Sequence, residues 1–86
     1  MLVRWSHHAK QRFAERAAKL DLNYGEIEIE VKKQKIRFKE GKNRFKTIFR
    51  IRDAFLTAAK IETKEFIHVL TLWESNEEEV KKWRKK

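Results

Sequence analysis

The feature that most constrains the fold of this chain is a change to period-two alternation after Lys33. Ile36 and Phe38 alternate with Lys35, Arg37 and Lys39. After Glu40-Gly41-Lys42-Asn43, Phe45, Thr47, Phe49 and Ile51 alternate with Arg44, Lys46, Ile48, Arg50 and Arg52. Side chains in a strand point alternately to opposite faces, and a Gly/Asn-containing tetrapeptide between two such runs is a turn. The stretch is therefore expected to form a β-hairpin with one apolar and one basic face. The rest of the chain must cover the apolar face.

The basic face belongs to a larger asymmetry. Lys32 to Arg52 holds ten Lys/Arg and a single acid, Glu40, so this stretch accounts for the whole net charge of +9. Elsewhere positive and negative residues balance. Like charges on neighbouring strands destabilise a sheet, so a clustered excess of cations points to a polyanionic partner rather than to a face that merely keeps the protein soluble. Lys35, Arg37, Lys39, Arg44, Lys46, Arg50 and Arg52 are the candidate nucleic-acid-binding residues. Arg44, Lys46, Arg50 and Arg52 are expected to point outward together, with Phe45, Phe49 and Ile51 inward.

The flanking segments supply the remaining elements. Leu2 to Trp5 reads as a short strand, and Ser6 as the N-cap of a helix starting at His7. On that helix Ala9, Phe13, Ala17 and Leu20 form an apolar stripe beside a polar stripe of His8, Arg12, Glu15, Arg16 and Lys19. Asn23 and Glu26 have capping-box spacing, and Tyr24 to Lys33 carries its acids first and its bases last, as a helix dipole prefers. Ala54 to Glu62 and Glu65 to Trp73 read as two further strands, the latter apolar enough to lie inside a sheet. Ser75 and Glu78 read as a second capping box opening a final helix, on which Val80 and Trp83 can dock on the sheet. The expected order is β-α-α-β-β-β-β-α: an α+β domain spanning 1–86, with an antiparallel sheet and helices packed on one face.

Composition narrows the chemistry. With no cysteine, disulfides, thiolate zinc sites and cysteine nucleophiles are excluded. His7, His8 and His68 have no familiar ligand spacing, and Gly25 and Gly41 make no phosphate loop, so neither metal nor cofactor is expected. No apolar run reaches the ~18 residues of a membrane span, and the N-terminus lacks the apolar core of a signal peptide, so a cytoplasmic location is expected.

The element order resembles the RelE-like fold of the RelE and BrnT families of small basic toxins from toxin–antitoxin pairs. His8-Ala9-Lys10-Gln11-Arg12-Phe13-Ala14-Glu15-Arg16 is similar to the H-A-x-x-R-x-x-E-R signature of a small uncharacterised microbial family usually placed near those toxins. The resemblance implies a metal-independent RNA endonuclease (an mRNA interferase), acting in several relatives on ribosome-bound mRNA and silenced by a partner antitoxin. Relatives that use a tyrosine near the chain's end find no counterpart here, since Tyr24 is the only tyrosine.

Cleavage by the RNA 2′-hydroxyl needs a base, an acid and cations on the phosphate. His8, in the first turn of a helix where the dipole disfavours imidazolium, is the candidate base or acid. Arg12, Arg16 and Arg50 complete the candidate catalytic set. Against this stands an ordinary structural role: an ion-pair ladder along Arg12, Glu15 and Lys19, and a capping His8. His68, in an apolar strand, reads as a half-buried structural histidine. Two other functions fit the same residues: a nucleic-acid-binding domain without catalysis, and an interaction module for an acidic partner protein such as an antitoxin.

Overall fold

A computed structural model describes residues 2–33 and 36–85. Its elements are β1 (Leu2–Trp5), α1 (His7–Leu20), α2 (Tyr24–Lys33), β2 (Arg37–Gly41), β3 (Arg44–Ile51), β4 (Ala54–Glu62), β5 (Phe66–Glu74) and α3 (Glu77–Lys85), in the order expected. The five strands form one sheet, β1-β5-β4-β3-β2. Three successive hairpins make β2 to β5 an antiparallel meander.

Two expectations about the sheet are corrected. It is mixed, because β1 pairs with β5 in parallel, Val3 opposite Ile67 and Trp5 opposite Val69. No short turn joins these two strands, so nothing imposes a hairpin on them. Nor do all three helices share a face. Ala9 and Phe13 of α1 and Ile27 and Val31 of α2 pack on Phe49, Ile51, Leu56, Ala58, Ile67, Val69 and Leu72. By alternation the opposite face carries Ile48, Thr57 and Ala59, which are also buried. That face is covered by α3, whose Trp83 ring meets Phe55 edge-on at 5.0 Å. A sheet with apolar residues on both faces requires cover on both.

The basic hairpin therefore differs from the amphipathic one expected. A bulge between Lys39 and Gly41 sets Phe38 opposite Lys46 and Arg37 opposite Thr47. A one-residue offset exchanges the faces of a whole strand. Phe38 thus shares the α3 side with Lys46, whereas Phe49 and Ile51 face α1 and α2.

Local chemistry sets the ends of the helices. The Ser6 hydroxyl accepts from the Ala9 N–H at 2.9 Å and donates to the Leu70 carbonyl at 2.7 Å, tying α1 to the sheet. Asn23 Oδ1 accepts from the Glu26 N–H at the start of α2. The second capping box lies one residue later than expected. Asn76 and Glu79 exchange backbone-to-side-chain bonds of 2.9 Å in both directions. Ser75 is unavailable as a cap because it completes the strand layer, its N–H donating to the Phe55 carbonyl and its hydroxyl bonding Thr57. Near its C-terminus α2 is held by Lys60, fully buried, whose Nζ donates to the Val31 carbonyl at 2.7 Å and pairs with Glu62 at 2.8 Å. Burial pushes the Lys60 ammonium below its ordinary range, and the Glu62 carboxylate opposes that shift.

Candidate nucleic-acid interface

Once folded, the seven candidate binding cations do not form one plate. Arg37 lies on the α1/α2 side, ion-paired to Glu62 and stacked 4.3 Å from the Phe45 ring centroid. Lys46 turns beneath α3, 3.3 Å from Glu79 and 3.9 Å from Glu40. Arg52 leaves the strand in the left-handed region at φ 53°. Its guanidinium donates to the Asp21 carbonyl and to Glu26, stapling the end of α1 to the start of α2. This contact holds the Glu26 carboxyl below its ordinary range. These three cations are neutralised within the fold, so the expectation that Arg44, Lys46, Arg50 and Arg52 point outward together is corrected. Lys39 and Arg44 are exposed and make no ion pair among the described residues. Lys35 lies outside the described residues.

Arg50 belongs to a different group. Its guanidinium lies 5.8 Å from the Phe55 ring centroid, and that of Arg84 lies 5.9 Å from the same ring. With Lys33 they line a cleft of about 590 Å³ between the end of α2, β3 and the end of α3, alongside Ile36, Trp83 and Glu30. Glu30 takes Lys33 at 2.9 Å, and Arg50 reaches the fully exposed Asp53 only at 3.7 Å. Arg84 has no carboxylate partner among the described residues. The cleft thus carries three cations against one lining acid. Two of them are arginines, whose planar forks suit phosphate oxygens, and the indole of Trp83 stands beside them.

Lys33 and Arg84 escape notice in the sequence because each has an innocent local explanation, a helix-dipole lysine and a basic tail. The available signal was adjacency. If Trp83 docks on the sheet, Arg84 is carried to the edge of that contact.

The α1 stripe stands apart from this cleft. Arg12 donates to His8 Nε2 at 3.5 Å and pairs with Glu15 at 3.0 Å, and Arg16 pairs with Glu15 at 3.5 Å. Lys19 reaches Glu74 of β5 instead of Glu15. This is the ladder that helical spacing suggested, with its last rung moved to the sheet. Helix α1 packs along β5, two strands from β3 and on the face opposite Arg50. No hydrogen bond, ion pair or shared cavity joins His8, Arg12 or Arg16 to Arg50 among the described residues. The structure brings His8, Arg12 and Arg16 together and leaves Arg50 with Arg84.

Among the described residues no group of three or more His, Asp or Glu is placed to hold a metal ion, and no helix is long and apolar enough to cross a membrane. In comparisons with known proteins, the chain matches no family model, no curated protein and no solved structure.

Proposed function

We propose that this protein binds RNA and that the cleft lined by Lys33, Arg50, Arg84 and Trp83 holds a phosphate of the chain. The observation that carries this reading is the convergence of Arg50 and Arg84 on the Phe55 ring, both also lining a cleft with a single carboxylate. Guanidiniums gathered around one ring repel each other, and a bound phosphate relieves that repulsion. The exposed Arg44 lies on the same face of β3 as Arg50 and adds a further cation along that strand, whereas Lys39 is exposed on the opposite face.

Binding without cleavage is the form of this reading that the geometry favours. The cleft has no histidine among its lining residues, and His8 lies on the other side of the sheet. A second reading, a RelE-like endoribonuclease toxin with an acidic antitoxin as its silencing partner, has one observation in its favour. Glu30 stands inside the cleft beside the cations, where a carboxylate could take the 2′-hydroxyl proton.

The test is anisotropy titration of a labelled oligouridylate of about 12 nucleotides. Arg50→Ala and Arg84→Ala should each weaken binding and flatten the log–log salt dependence by ~0.7 for every phosphate that is no longer neutralised. Salt slopes unchanged in both variants would remove the cleft from the interface. Cutting of RNA by the wild-type protein that disappears in Glu30→Gln while binding persists would establish the second reading instead.

A further inference from the structure

The face of the sheet covered by α3 is covered only in part. Beyond Lys46, toward β1, it carries a continuous register row: Arg44 of β3 opposite Ile61 of β4, Ile61 opposite His68 of β5, and His68 opposite Arg4 of β1. Phe66, two residues before His68, lies on the same face opposite Leu2. Ile61, Phe66 and His68 are half-buried, Arg4 and Arg44 are exposed, and Leu2 is 57% exposed. The Phe66 and His68 rings stand 6.4 Å apart, and the Arg4 guanidinium lies 4.6 Å over the Phe66 ring. Among the described residues Arg4 and Arg44 have no carboxylate within ion-pair distance, and the His68 side chain makes no hydrogen bond.

An interior strand of a five-stranded sheet thus presents two aromatic rings at i and i+2, tilted 52° to one another, with an arginine that lacks a carboxylate partner on either side, Arg4 resting over Phe66. We infer that this row is a platform on which a single-stranded nucleic acid stacks its bases, with Arg4 and Arg44 holding the phosphates on either side. Three strand spacings of ~4.8 Å put the two arginine Cα atoms ~14 Å apart, with the rings between them. Every base has a π-face, so such a surface accepts single strands and is closed to a duplex, whose bases are already stacked. The chemistry disfavours the other occupants of a half-apolar face. A second copy docked symmetrically brings arginine rows of like charge together, and an acidic peptide makes no use of a Phe–His pair.

The inference rests on the RNA-binding reading and adds a second contact region to it. The test uses the full chain, the labelled oligouridylate, and the same oligomer with abasic sites. Phe66→Leu keeps the half-buried apolar volume, and His68→Ala removes the second ring. Each should weaken oligouridylate binding about fivefold or more, the factor corresponding to the ~1 kcal/mol lower bound for one stacked base. Their salt slopes should stay at the wild-type value, and their affinity for the abasic oligomer should not change. Arg4→Ala should flatten the slope. Wild-type binding that Phe66→Leu and His68→Ala leave intact overturns the platform and spares the cleft. Equal losses on abasic and intact oligomers also overturn it, since stacking cannot be the cause. A dimer in sedimentation that His68→Ala dissociates would assign the row to self-association. No binding of any oligomer at low salt removes both the platform and the RNA-binding reading.

Discussion

Glu79 is the residue whose loss should be felt most widely. It is 3% exposed. One carboxylate oxygen accepts from the Asn76 N–H at 2.9 Å, the Trp73 indole N–H donates to both oxygens at 3.0 and 3.2 Å, and Lys46 approaches at 3.3 Å. Burial opposes the charge, but these donors together outweigh it and hold the carboxyl below its ordinary range. Glu79→Ala removes all of these partners at once. Hydrogen bonds to a charged group contribute ~1.5–3 kcal/mol each, and breaking a buried ion pair costs ~3–5 kcal/mol. Lys46 keeps partial exposure, with a side chain 20% accessible, and can rehydrate. That places the net destabilisation near the low end, at ~3 kcal/mol. For a domain of this size, with total stability of ~4–13 kcal/mol, the melting temperature should fall by ~12–24 °C. Glu79→Gln keeps the shape and one acceptor oxygen, and should lose about half as much. Urea denaturation of both variants, with Lys46→Met and the double mutant completing a cycle, measures the Lys46–Glu79 coupling directly. A destabilisation under ~0.5 kcal/mol in Glu79→Ala, judged against the ~1 kcal/mol expected from its capping bond alone, would overturn this account of the buried carboxylate. Because α3 carries Trp83 and Arg84 to the cleft, Glu79→Ala should also weaken RNA binding.

Other outcomes follow from the same geometry. Acid should destabilise the protein through Glu79: its folded pKa is depressed, so its contribution is complete above the unfolded value near 4.5 and is lost as pH falls through the lower folded value. An acid titration of stability that is flattened in Glu79→Gln would check this. Lys60 moves stability in the same direction at the other end of the scale. Its folded pKa is also depressed, so the folded state binds fewer protons, and stability should rise with pH between the folded value and the ordinary value of 10.5. Lys60→Met, which leaves Glu62 neutralised by Arg37 but strips the buried Val31 carbonyl of its donor, should destabilise by ~1–3 kcal/mol in urea denaturation. His8→Ala should leave oligouridylate affinity unchanged within about twofold in anisotropy titrations, since its partners lie on α1 and not at the cleft.

Much of the local architecture was legible in the sequence because its causes are local. Period-two alternation specified the hairpin strands, the spacing of Ala9, Phe13 and Ala17 specified α1, and the gradient from acids to bases marked α2 and α3. All eight elements stand in the expected order. What failed were statements about faces. Whether Phe38 shares a side with Phe49 depends on a bulge at Lys39–Gly41, and a single extra residue there reverses the answer. Whether α3 joins α1 and α2 depends on the opposite face, where Ile48, Thr57 and Ala59 are small or singly apolar and leave no obvious stripe in the sequence.

The charge run shows the division most clearly. Composition and clustering alone establish that the chain carries a surplus of cations on a β-hairpin. Folding then selects which of them stay available. Carboxylates from distant elements claim the others: Glu62 takes Arg37, Glu79 takes Lys46 and Glu26 takes Arg52. Arg50 escapes, and α3 brings Arg84 beside it from the far end of the chain. Coulomb attraction acts through space, and a sequence lists charges without the distances that decide which of them cancel.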